Sequence, residues 1–89
     1  MVSNQIQQQA VKFQKDIAEK FNVPMESVYL YETKYKMIEV RISIDAMSSL
    51  WAKDIEEIEE VMQGWHFLKF NQDEINSIIT MERDNEALA

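Results

Sequence analysis

The 89-residue chain has no cysteine, one glycine, one proline and one histidine. Without cysteine there is no disulfide, no thiolate metal site and no thiol nucleophile. A single glycine excludes the Gly-rich loops that cradle phosphates. With so little glycine and proline, regular elements should fill most of the chain. No apolar run is longer than a few residues, so none is long enough to span a bilayer. The first nine residues have neither a basic region nor an apolar stretch of signal-peptide length, and the expected location is cytoplasmic. Basic residues are also scarce, nine Lys plus Arg against sixteen Asp plus Glu, a formal charge of −7. What the chain does have is a 46% hydrophobic content. That argues against disorder and for one small domain over residues 1–89, near the lower size for a self-sufficient core. Residues 84–89 are expected to be a frayed tail.

The charge is unevenly spread. Residues 1–45 are balanced, whereas 46–63 set Lys53 against Asp54, Glu56, Glu57, Glu59 and Glu60. Residues 64–89 set Lys69 and Arg83 against Asp73, Glu74, Glu82, Asp84 and Glu86. A field of this sign repels nucleic acid and anionic lipid and attracts basic protein surfaces.

Ile6, Ala10, Phe13, Ile17 and Phe21 recur at helical spacing and predict an amphipathic helix over 4–21. Ser3 or Asn4 is available to cap it, Asn22 to take the left-handed conformation at its end, and Pro24 to stop it. Residues 27–33 read as a strand in which Val28 and Leu30 alternate with Tyr29 and Tyr31. Residues 37–45 read as a half-buried strand, with Ile38, Val40, Ile42 and Ile44 on one face and Glu39, Arg41 and Ser43 on the other. The short link at 33–36 makes these two an antiparallel hairpin. A second helix is expected from 47 or 48 to 63, capped by Asp45, Ser48 or Ser49. Trp51, Ile55, Ile58 and Met62 form its core stripe, and Gly64 is its stop. Residues 65–70 form an aromatic strand and 71–74 a turn. Residues 75–82 suit a short helix or a strand, and the β-branched run Ile78-Ile79-Thr80 favours the strand.

The expected fold is therefore α+β in the order αββαββ, a two-layer sandwich with two helices on one face of a four-stranded antiparallel sheet. It resembles a permuted ferredoxin-like topology in architecture alone, and this implies no function. An offset of about 37 residues superposes the two αββ halves, matching Val28 with Trp65, Leu30 with Phe67, Ile38 with Ile75, Ile42 with Ile79 and Ile44 with Met81. Any two hairpins align at their apolar positions, so the match is equally what unrelated hairpins would give.

Few residues offer catalytic chemistry. His66 lies in the aromatic strand and is expected to be a half-exposed sheet histidine. The alternative is a general base paired with an acid such as Glu82. One imidazole without cysteine makes no structural zinc site, and no looped oxygen array with glycine is present for calcium. The serines and threonines fall at caps, turns and strand faces. No catalytic residue, metal or cofactor is expected.

The most conspicuous run is Asp54-Ile55-Glu56-Glu57-Ile58-Glu59-Glu60. Glu56 and Glu60 stand one helical turn apart, about 6 Å, and like charges at this spacing destabilise a helix by a few tenths of a kcal/mol. A ridge of this kind is ordinarily a solvated face, but a chain that keeps such repulsion has a use for it against a basic partner. The second conspicuous feature is the outer sheet face, where Tyr29, Tyr31 and Arg41 have the composition of an association surface. The leading expectation is a non-enzymatic acidic module that binds a basic protein surface, such as a nuclease, and occludes its nucleic-acid site. Phage anti-CRISPR proteins and immunity proteins against nuclease toxins are of this physical type. Direct binding of nucleic acid or membrane is not expected. The alternative is a homodimeric structural or adaptor domain that assembles through its open sheet face.

Overall fold

The computed structural model describes residues 2–83, with side chains from residue 9 onward. The elements follow the expected order: α1 (Val2–Phe21), β1 (Val28–Glu32), β2 (Ile38–Ser43), α2 (Ala52–Val61), β3 (Trp65–Gln72) and β4 (Asn76–Arg83). The segment that suits helix or strand is thus the strand β4. The expected tail at 84–89 lies outside the described residues.

Helix α1 already includes Ser3 and Asn4, so neither holds the cap position. Its end is as expected. Asn22 adopts φ 55°, the Val23 N–H donates to the Ala18 carbonyl at 3.0 Å, and the Asn22 N–H donates to Glu19 at 3.2 Å. This pair of bonds satisfies the last helical carbonyls and turns Val23 back onto the core. A 3₁₀ turn at Met25–Ser27 then leads into β1, one residue later than expected. The β1–β2 hairpin closes around Thr33, whose Oγ1 accepts the N–H groups of Tyr35 and Met37, both at 3.2 Å. Lys36 occupies the left-handed position of this turn at φ 65°.

The sheet order is β1-β2-β4-β3, antiparallel throughout. A βαββαβ ferredoxin-like sheet takes this order when its first strand is moved to the end of the chain. The hydrogen-bond phase follows from two turn contacts. The Thr33 N–H bonds Met37, so the odd residues of β1 face β2. The Ile44 N–H bonds Ile75, so the even residues of β2 face β4. Backbone groups in antiparallel strands alternate in direction. The even residues of β1 therefore point their N–H and C=O groups away from the sheet.

One sheet face packs on both helices. Phe13, Ile17 and Ala18 of α1 and Ile58 of α2, with Met62 just beyond it, meet Val28, Ile38, Val40, Ile42, Ile79, Met81 and Trp65. Leu30 and Ile55, expected in the core, are half-buried. Ile44, expected on the buried face of the second strand, lies past its end and is also half-buried.

The largest departure is the start of α2, at Ala52 rather than 47 or 48. Residues 44–51 are a connection tied down by β4 and the end of β3. The buried Ser77 Oγ donates to the Met47 carbonyl at 2.6 Å, and Gln72 Nε2 donates to the Ser48 carbonyl at 2.6 Å. These carbonyls are committed outside a helix, so neither Asp45, Ser48 nor Ser49 caps one. Trp51 is the residue before the helix, in extended conformation at φ −101°. It therefore leaves the core stripe and stands 71% exposed. Helix α2 ends at Val61 with Met62 at its cap, two residues short of the expected end at 63, and Gly64 takes φ 93° in the turn that leads into β3 rather than stopping the helix itself.

The 37-residue match does not survive as a structural equivalence. In the first hairpin Val28 faces Ile42, whereas Trp65 faces Arg83 and Ile79 faces Phe70. Val28 with Trp65 and Ile42 with Ile79 are therefore not equivalent together. Ile75, matched to the buried Ile38, lies in the β3–β4 turn, 69% exposed. The sheet order keeps a two-fold pattern of connectivity without the residue-level repeat.

Candidate functional site: the acidic helix and the open sheet face

The five acids of α2 separate into two groups. Asp54 and Glu59 are engaged within the fold. Asp54 sits three residues after Trp51, and its Oδ2 accepts the Trp51 N–H at 2.9 Å, half of a capping box. Glu59 reaches the edge of the sheet, where its Oε2 accepts the Phe67 N–H at 2.9 Å and lies 3.8 Å from His66 Nδ1. Glu56, Glu57 and Glu60 have no ion pair or side-chain hydrogen bond among the described residues. Glu56 and Glu60 are exposed on the side of the helix away from Ile58, and Glu57 is half-buried on its flank. The unspent acidic ridge is thus three carboxylates, with Lys53 exposed beside it.

Glu82 and Asp73 do not extend this ridge. Glu82 pairs across the strands with His66 on the opposite sheet face. Asp73 is spent on the β3–β4 turn, where its Oδ1 accepts the N–H groups of Ile75 at 2.7 Å and Asn76 at 2.6 Å. The bond from Asn76, followed by that from Ile75, holds the Asp73 carboxyl below its ordinary range. Asp84 and Glu86 lie outside the described residues.

The outer sheet face brings together Tyr29, Tyr31 and Arg41. Tyr29 is directly opposite Arg41, and Tyr31 opposite Glu39. The Arg41 guanidinium lies 5.6 Å from the Tyr31 ring centre and donates through Nη2 to Glu39 Oε1 at 2.7 Å. That bond raises the Arg41 pKa further, so the group stays charged at every physiological pH. Tyr29 and Tyr31 remain 59% and 47% exposed. Not all of this face is wet. Thr80, between Glu39 and Lys69 in the register, is buried.

His66 does stand opposite Glu82, as its alternative reading requires, with Glu59 on its other side. It belongs to β3, one edge of the sheet. The groove lined by Ala10, Val11, Gln14, Tyr29 and Leu30 lies by β1, the other edge. The acid–base pair and this concavity are therefore separated by the width of the sheet. Among the described residues no cluster of His, Asp and Glu is arranged to hold a metal ion, and no helix is long and apolar enough to cross a membrane.

Sequence periodicity misses Trp51 as a surface residue. The signal that finds it is Asp54: an acid three residues into a helix reaches back to the cap position, which places Trp51 outside the helical stripe. Comparison of the chain with protein-family models, with curated proteins and with solved structures gives no match.

Proposed function

We propose that the protein is a non-enzymatic acidic binding module whose α2 ridge, Glu56, Glu57 and Glu60, engages a basic groove on a partner protein and occludes its nucleic-acid site. The observation that carries this reading is the division of labour on α2. Two of its five acids stabilise the fold, and the other three have no ion pair or side-chain hydrogen bond among the described residues and repel one another. Trp51, at the head of the same helix, supplies the exposed aromatic that anchors such interfaces.

The test is capture of the partner by the folded parent and by a variant with Glu56, Glu57 and Glu60 all changed to Lys. Capture by the parent should weaken steeply as salt shortens the screening length from about 10 Å to about 3 Å. The triple variant should keep its fold and lose the partner. Equal capture by both would remove the ridge from the interface.

A second reading has its own observation. Tyr29, Tyr31 and Arg41 cluster on a sheet face that carries neither helix, and burying them in a two-fold contact yields a homodimer. Sedimentation decides it. A dimer in the parent that Tyr31→Glu or Arg41→Glu converts to monomer supports this surface. An unchanged mass in both variants rejects it.

A further inference from the structure

The register of the sheet sets two rows side by side on the outer face. One runs Tyr31, Glu39, Thr80 across β1, β2 and β4, and the next runs Tyr29, Arg41, Ile78 across the same strands. Lys69 of β3 continues the first row. Among the described residues the charged groups of this face are Glu39 and Glu82 against Arg41 and Lys69, with His66 beside Glu82. The face is balanced, so the formal charge of −7 is carried elsewhere and two copies do not repel through this surface.

The ion pair at the centre of the face uses only part of its bonding capacity. Arg41 Nε and Nη2 both donate to Glu39 Oε1, at 3.1 and 2.7 Å. Arg41 Nη1 and Glu39 Oε2 have no hydrogen-bond partner among the described residues. The two side chains are 37% and 23% exposed. A cation and an anion two residues apart on one strand are self-complementary. A two-fold axis that crosses the strand between them sets each against the other in a second copy.

We propose that two copies of this chain pack outer face to outer face about a two-fold axis that runs across the strands, between the two rows. This rests on the homodimer reading and gives it a symmetry and a register. Each strand lies over its own counterpart and the rows exchange. Glu39 of one copy faces Arg41 of the other, Tyr31 faces Tyr29, and Thr80 faces Ile78. Two pairs within the chains and two between them make a ring of charges of alternating sign, in which Nη1 and Oε2 gain partners. Aligned sheets pack about 10 Å apart, a gap that a glutamate and an arginine side chain span together. The other aligned packing has its axis along the strands. It sets Arg41 on Ile78 and Glu39 on Thr80, which removes both charges from water without pairing them between copies. Four strands about 4.8 Å apart and about six residues long make a face of roughly 400 Å² in projection, at the small end of specific interfaces. The dimer is therefore in equilibrium with its monomer.

Sedimentation over a range of concentrations reads this equilibrium, and circular dichroism reads the fold of each variant. The parent should dimerise. Glu39→Arg and Arg41→Glu each set like charges against one another across the axis and should weaken self-association at least about tenfold. An equimolar mixture of the two variants should form a heterodimer, because every charge then faces its opposite. Both exchanges in one chain should restore the homodimer. The register is read on the unmutated chain from a mixture of isotope-labelled and unlabelled copies. Contacts between copies should join the Ile78 methyls to the Thr80 methyl and the Tyr29 ring to Tyr31. A parent that is monomeric throughout, or whose dimer survives both Tyr31→Glu and Arg41→Glu, overturns this proposal and the homodimer reading together. A dimer that these variants dissolve, but whose contacts join Ile78 to Arg41 or Tyr31 to Lys69, overturns the register alone. So does a mixture of Glu39→Arg and Arg41→Glu that stays monomeric.

Discussion

Replacing Glu59 with Ala separates structural from surface acids on α2. The carboxylate accepts the Phe67 N–H at 2.9 Å, at the β3 edge beside the register shift. A hydrogen bond to a charged group contributes about 1.5–3 kcal/mol. The Glu59 side chain is 36% exposed, so water replaces part of what is lost. Alanine also recovers a few tenths of a kcal/mol in helix propensity. The expected net cost is about 1 kcal/mol, a fall of roughly 4–8 °C in melting temperature for a domain of this size. Glu59→Gln keeps an acceptor oxygen and should cost about half as much. Glu56→Ala and Glu60→Ala remove only repulsion and should be neutral or slightly stabilising. Urea and thermal melts give the stabilities, and exchange of the Phe67 amide reports the bond itself. If Glu59→Ala melts with Glu56→Ala and the Phe67 amide is unchanged, the edge cap does not exist and all five acids are one surface.

The two tryptophans should behave oppositely. Trp51→Ala should change stability by less than about 0.5 kcal/mol, as exposed sites do, whereas Trp65→Ala should cost about 3–5 kcal/mol, both measured by urea melts. Lys36→Gly should stabilise by up to about 1 kcal/mol, because glycine occupies the left-handed turn position without the Cβ penalty, and thermal melts would register it. Asp73 titrates at lower pH in the folded chain than in the unfolded one, because backbone N–H groups hold its charged form. Its contribution is therefore present above the unfolded carboxylate range and is lost as pH falls through the folded value. Stability curves of the parent and Asp73→Ala should accordingly converge in acid and separate toward neutral pH.

The parts of this fold that are legible in the sequence are those set by local periodicity. The alternation through β2 fixes its faces, and the Asn22 stop and the left-handed turn at Gly64 are local chemistry that the structure repeats, although α2 itself ends earlier, at Val61. Trp51 is illegible to periodicity because its fate is decided by Ser77 and Gln72, more than twenty residues away, which hold the connection out of the helix. The register shift in β3 is equally hidden. It turns Phe70 to the same face as Phe67, where simple alternation would set them apart. At the candidate site, the sequence identifies the acidic run and the tyrosine–arginine face as groups. It does not separate Asp54 and Glu59 from the rest, because the groups they serve are backbone N–H groups brought near by the fold. The place of β1 at an edge of the sheet depends on strand order, which long-range pairing decides.

The most direct test of the proposed occlusion is competition on the captured partner. A labelled oligonucleotide is bound to the partner, and the folded chain is titrated in. The account predicts that the parent releases the oligonucleotide one for one and that the Glu56, Glu57 and Glu60 to Lys variant does not. A ternary complex of partner, oligonucleotide and parent would contradict it, because the acidic ridge and the nucleic acid would then occupy different surfaces.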